Sequence, residues 1–526
     1  MPSQEQTVAF RFDGGWATDF GTSSDAEIGA GLNSIPYLLD AENLKFEING
    51  SPRKVGGLTK FNTTAAGSGA EVVGIYDFWR YAGGAAGTQK IVGHVGTVLY
   101  NFTGAANIAT GLTDAAIPDY TTFDDFLIYA SDADAPRSYD GSTDQAISGA
   151  PNFAFSVVHK NRIFAAGVAA AGSTLYWSVA EDPEDWTGFG SGAINVNPDD
   201  GDVITAIASF RGELWIFKGP HNRSIHRLLG SAPGSSDPFR LVPFAEGIGA
   251  AAQRLVFEYG NDLGFMDVDG TVHSLRDTDA TASSYQSSSL SLPINGWLRQ
   301  HIVSDRLKYG SAAVNRSAGY VLFNFSVDSA TTNNIVLMMN YRFDRPRWSK
   351  LSAFNTIQCV ATVVDPSLDD LPGIMVGGND GIMRRFDRPP RSIDDDTAYT
   401  YQWRTPSLSI GDTFVRKAIT AAAIGLTPQG NSEIEFAWKR DKNAWQTMGF
   451  EQTGGDVLAP TSSPNVFVLN QSKLGSGDAV DVRHSLDDGD TFHRVQFRAT
   501  QGGLGEDAEI QHFAVRLKPS AYSVEN

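Results

Sequence analysis

The sequence predicts an all-β chain: a β-propeller of about six blades, preceded by an N-terminal arm and followed by a C-terminal β-sandwich. Three observations carry this. Glycine is heavy, at 54 of 526 residues, and many glycines fall between short apolar runs, the pattern of many strands joined by tight turns. No long helical stretch is visible; Ala421-Ala-Ala423 is short and stands beside β-branched residues. Strand–turn–strand groups recur roughly every 40–50 residues, the spacing of propeller blades.

Residues 1–65 are turn-rich and weakly periodic. Within them, residues 43–48 alternate polar and apolar, Asn49-Gly50 signals a type I′ turn, and residues 51–54 return. The segment reads as an arm that ties a neighbouring element. Residues 66–390 hold the repeats, with groups at 72–100, 126–139, 156–178, 203–228, 254–275, 319–341 and 373–386. Turns such as Arg211-Gly212, Asp269-Gly270 and Asp380-Gly381 join their strands. Radial stacking explains such a repeat, because each blade buries its face against the next. An array of β-sandwiches shares the short strands and dense turns; the recurring hairpin phrase favours the propeller. Residues 391–526 open on a polar linker around Asp394-Asp-Asp396 and beyond it offer about seven strands, which fits a sandwich.

At this length a single compact core is not expected. Charged residues make up 19%, too few for a disordered or coiled-coil chain. The balance of 41 basic against 60 acidic residues gives a net charge of −19. Such a surface repels phosphate, which argues against sequence-specific nucleic-acid binding but suits a wall along which DNA slides. The start of the chain lacks a basic region followed by an apolar one, and no stretch has the length of a membrane-spanning helix. The expectation is a soluble protein made in the cytoplasm. Cys359 is the single cysteine and sits in an apolar run, so it reads as a small core residue.

The motifs favour turns over chemistry. Ser485-Leu-Asp-Asp-Gly-Asp-Thr-Phe492 matches the Asp-box pattern, with Ser485, Asp487, Gly489, Thr491 and Phe492 at the defining positions. Its Asp would bond turn amides, its glycine would take positive φ, and its aromatic ring would pack beneath the strand. Asp267-Val-Asp-Gly270 has part of a calcium loop but lacks the later oxygen ligands, so it reads as a hairpin turn. Pro198-Asp-Asp-Gly-Asp202 and Asp394-Asp-Asp396 are carboxylate clusters that read as solvated turns before they read as cation sites. A sialidase-like site would need converging arginines; Arg162, Arg211 and Arg227 are the available candidates. The nine histidines form no HExxH pair, and His221 and His226 flank a short strand. Nucleotide-binding glycine loops and a nucleophile elbow are missing too. No catalytic, cofactor-binding or metal site is predicted.

One passage is more specific. Ser173-Thr-Leu-Tyr-Trp-Ser178 leads into Glu181-Asp-Pro-Glu-Asp-Trp186, then Pro198–Asp202, Gly212-Glu-Leu-Trp-Ile-Phe-Lys218 and Ser224-Ile-His-Arg-Leu228. Gly247-Ile-Gly249 and Gly264-Phe-Met-Asp-Val-Asp-Gly270 follow in order. This succession resembles the propeller-bearing tail nozzle, or packaged-DNA stabilisation protein, of short-tailed bacteriophages. Residues 41–57 and the chain's end around 485–492 and 514–518 are also similar to that family. The resemblance implies a virion tail protein that forms a ring, with six copies expected, below the portal and adaptor. Such a ring holds back packaged DNA, conducts it at ejection, and meets tail fibres or spikes on its outside. The alternative is a sialidase-like or glycan-binding propeller acting on host surface polysaccharide, motivated by the Asp-box pattern and the aromatic content.

Overall fold

The computed structural model describes the chain except residues 1–4, 22, 27–31, 82–86, 277, 279–288, 367–370, 390, 395, 412–413, 427–432, 449–450, 453–466, 469–479, 486–490, 506, 508 and 520–526. The fold is all-β, a propeller with a sandwich. By compactness the chain forms two units, residues 60–336 with 354–386, and residues 1–59 with 337–353 and 387–526. The three stretches expected from patterning thus regroup, because the N-terminal arm supplies strands to the C-terminal sheets.

The first unit is the propeller. Seven antiparallel sheets are found among the described residues, beginning with Val72–Arg80, Pro118–Phe123, Phe155–His159, Val203–Phe210, Val256–Tyr259, Ser311–Asn315 and Ile357–Val364. These match the seven groups read from the sequence, where the blade count was put at about six.

Strand geometry explains the stacking. Successive side chains point to opposite faces, so each middle strand serves two neighbours. In Phe126–Ser131, Leu127 and Tyr129 pack with Phe78, Val92 and Leu99 of the first sheet. Ile128 and Ala130, between them, pack with Ile163 and Ala165 of the third. Phe164 then faces Ile204, Leu214 and Ile216 of the fourth, and Phe217 faces Leu263 and Phe265 of the fifth. Phe257 meets Phe323 of the sixth edge-on at 5.1 Å. Cys359, Val363 and Met375 of the seventh return to Val72, Ile75 and Ile91 of the first. The ring is closed. Chain entry seals it: Met383 N donates to Asn62 Oδ1 at 2.8 Å, and Phe61 N donates to the Met383 carbonyl at 2.8 Å.

Tight turns hold the hairpins. Arg211 and Gly212 both take positive φ, 51° and 79°, the pairing a type I′ turn requires.

The second unit is a two-layer sandwich. One layer runs Leu32–Ile35, Gln6–Phe12, Ile510–Pro519, Lys417–Leu426, Val480–Ser485, Glu451–Gln452. The other includes Ser407–Ile410, Val495–Gln501, Tyr401–Arg404 and Asp40–Glu42, with Glu433–Arg440 on Val495–Gln501. Phe10, Phe12 and Phe513 face Trp403, Phe436 and Phe497 across the layers. The expected N-terminal hairpin is present as Leu44–Phe46 on Pro52–Lys54. Its turn differs from type I′: Gly50 N donates to the Glu47 carbonyl at 2.8 Å and Gly50, not Asn49, takes positive φ. This is the three-residue form in which a type I turn ends on a left-handed glycine. The return strand ties in through buried Lys54, whose Nζ donates to Gln501 Oε1 at 2.7 Å.

Candidate functional site

The propeller axis gathers polar groups that no local pattern announces. The innermost strands are joined by side-chain clasps all round the ring. Tyr76 Oη bonds Thr122 Oγ1 at 3.0 Å, and Asp119 accepts from Ser156 N at 2.8 Å. His159 Nδ1 bonds Ser209 Oγ at 2.9 Å, and Gln253 accepts from Ile207 N at 2.8 Å. At the exposed edge Arg316, just past Ser311–Asn315, reaches Glu258 at 3.1 Å; between the strands themselves Thr362 Oγ1 accepts from Val314 N at 3.0 Å, and Asp77 accepts from Val364 N at 2.8 Å.

Arg254 does something different. It enters with the fifth sheet, yet its Nη1 donates to the Val73 carbonyl of the first sheet and its Nη2 to the Tyr309 carbonyl, ahead of the sixth, at 2.9 Å. Two sheets separate the fifth from the first on one side and three on the other, so this side chain must cross the axis. Asp119 and Tyr120 of the second sheet and Cys359 of the seventh lie within its electrostatic reach. Burial lowers the Arg254 guanidinium and pushes the Asp119 carboxyl up to about 7. The same burial drives Cys359 up to about 12, so it stays a thiol, its Sγ on the Val72 carbonyl at 3.1 Å.

A carboxyl raised in the folded state stabilises most below its unfolded value, near 3.8, and that contribution fades as pH rises through about 7. Asp119→Asn keeps an acceptor for Ser156 N and removes the titration. It is expected to flatten the fall in urea stability between pH 4 and 7 by up to about 1.4 kcal/mol per pH unit. Buried Asp267, also up to about 7, leaves a residual slope of the same sign. A profile identical to that of the unmodified chain would show Asp119 to be ionised in the fold.

The residues singled out from the sequence go elsewhere. Arg162 donates to the carbonyls of Ser178 and Gly190, both at 2.9 Å, Arg211 to that of Asn261 at 2.6 Å, and Arg227 to Glu213 at 3.5 Å. They are held separately and form no arginine trio. Asp200 receives Lys218 Nζ on both oxygens at 2.7 Å, and Asp202 caps the backbone of His221 and Arg223, each at 2.7 Å. His226 turns to Ser224 Oγ at 3.0 Å. Asp267 to Gly270 is the turn expected: Gly270 N donates to the Asp267 carbonyl at 2.9 Å, and Asp269 accepts from Thr271 N at 3.0 Å. Asp395, Asp487 and Gly489 lie outside the described residues. Of the Asp-box positions, Ser485 ends Val480–Ser485, Thr491 accepts from Arg416 at 3.3 Å, and Phe492 is buried and exchanges backbone bonds with Lys417. Among the described residues no three metal-ligating side chains cluster.

Sequence reasoning missed Arg254, Asp119 and Gln253. The one local signal is the polar pair Gln253-Arg254 interrupting the apolar approach to a strand.

No family model matches the chain, and no curated protein matches it either. Solved structures that resemble it include the computationally designed Ika8 protein, at 10% identity over 71% of this chain and 99% of that one, TM-score 0.35. YCF48 bound to D1 peptide aligns at 10% identity over 61% and 94%, TM-score 0.35. The exo-β-1,3-galactanase from Phanerochaete chrysosporium with β-1,3-galactotriose aligns at 10% identity over 88% and 99%, TM-score 0.25. Likeness this distant carries no inference about activity. Among the described residues no helix is long and apolar enough to cross a membrane.

Proposed function

We propose that this chain is a structural virion protein, the nozzle ring of a short bacteriophage tail, which retains packaged DNA and conducts it at ejection. Arg254 across the axis is the observation that carries this reading. A propeller whose axis is spanned by its own side chain cannot itself be the conduit, and the axial carboxylate Asp119 is committed to Ser156. DNA would therefore pass through a lumen formed by several copies, as a ring of six would provide. The net charge of −19 suits a lumen that does not hold DNA. The most specific of the stretches that resemble the nozzle family, residues 173–270, falls in the third to fifth sheets. Portal and adaptor proteins on one side, and fibres or spikes outside, are the partners this role requires.

The mass of the purified chain, measured by light scattering and followed by imaging, tests the reading. The expected result is a closed multi-copy ring with a central lumen. A chain that stays single at every concentration, alone and with portal and adaptor, would overturn it and turn attention to glycan binding.

A further inference from the structure

The segment that links the fifth sheet to the sixth builds a polar cleft of about 520 Å³. One wall is the end of the helix Asn295–His301 and the residues that follow it, as far as Asp305. The other is the turn at Asp328 and Ser329, between Tyr320–Phe325 and Ile335–Asn340 of the sixth sheet. The volume is that of a small-molecule site.

Backbone bonds clamp the two walls together. Asp328 N donates to the His301 carbonyl at 2.8 Å, and Val303 N to that of Ser326 at 3.1 Å. Ala330 N donates to the Val327 carbonyl at 3.1 Å, and Asp328 and Ser329 between them take positive φ, 54° and 62°. This is a type I′ turn made without glycine. It sets the Asp328 carboxylate on His301, whose Nδ1 donates to Oδ1 at 2.6 Å. Trp297, one helical turn earlier, stacks on the imidazole with ring centroids 4.9 Å apart. The imidazole is held on two sides, and Nε2 is the ring atom it has left for a ligand.

The rest of the polar lining is unspent. Gln300, Ser304, Asp305 and Ser329 are exposed, and among the described residues their side chains bond to nothing in the chain. Half-buried Ile302 and Val303 add an apolar strip.

This lining selects its ligand. Two carboxylates repel an anion. His301 already matches one of them, so a cation would find a single carboxylate among neutral groups. The amide and the two hydroxyls each donate and accept, as sugar hydroxyls do, and the apolar strip suits the C–H face of a sugar ring.

We infer that the cleft binds a neutral saccharide, held by Asp305, Gln300 and the fixed His301. The site belongs to a single chain, so it stands or falls separately from the ring.

Saturation-transfer NMR on the full chain, with lactose, maltose and diacetylchitobiose as probes, tests it. At least one sugar is expected to give a signal, and Ser304→Trp, which fills the cleft from an exposed position, is expected to remove it. Asp305→Ala is expected to weaken that sugar about tenfold or more, the loss of one hydrogen bond to a charged group. Asp328→Asn, a residue that suits left-handed backbone and so keeps the turn, is expected to weaken it less. An unchanged circular dichroism spectrum checks that each variant folds. A panel without signal overturns the inference, and so does a signal that survives both Ser304→Trp and Asp305→Ala. Binding of N-acetyl-lysine amide in place of every sugar would make this a cation site and overturn it as well.

Discussion

Lys218→Met is expected to lower the unfolding free energy by about 3–5 kcal/mol, the usual cost of removing one partner from a buried ion pair. The Lys218 side chain has no solvent exposure, and its Nζ donates to the Val196 and Asn197 carbonyls and to both oxygens of Asp200, each at 2.7 Å. Methionine restores the volume and none of these bonds. Two carbonyls and a carboxylate then face an apolar tip in a site built around one ammonium group. Lys218→Arg gives no full rescue, because a planar guanidinium cannot send its donors in the directions a compact ammonium does. Urea unfolding at neutral pH measures the loss. A change below about 1 kcal/mol would mean that water replaces the ammonium, since Asp200 keeps 22% exposure.

Phe513→Ala is expected to cost the sandwich about 3–5 kcal/mol. Phe513 is 1% exposed and touches five other rings: Phe497 at 4.8 Å, Phe10 at 5.0 Å, Phe436 at 5.5 Å, Trp403 at 6.1 Å and Phe12 at 6.2 Å. The partners come from both layers, so the cavity opens between sheets and cannot close by shifting one strand. The readout is the unfolding midpoint together with Trp403 fluorescence. Phe513→Leu, which keeps more of the volume, is expected to lose markedly less, and equal losses for the two would show that ring geometry matters more than filled space.

What could be read from the sequence was what local chemistry decides. Arg211-Gly212 and Asp269-Gly270 announce their turns because left-handed backbone and side-chain capping are properties of a few adjacent residues. Glu213–Gly219 announces a strand through its apolar centre Leu214–Phe217, the unbroken run of a middle strand buried on both faces. Gln6–Phe12 was passed over as part of an arm, since the partner that makes it a strand, Phe513 opposite Phe10, lies at the other end of the chain. Arg254 was read as the start of a strand for a similar reason: its acceptor on Val73 is brought near only by ring closure.

The seal between Asn62 and Met383 sets a timetable for biosynthesis. The residues that close the ring are 321 positions apart. At translation speeds of about 5–20 residues per second, the first sheet waits roughly 15–65 s for the last. Throughout that interval the flank of the first sheet that will receive Cys359 and Val363 stands uncovered. A ribosome stalled before residue 357 therefore carries a nascent chain with an open apolar flank, an attractive client for chaperones and a seed for aggregates.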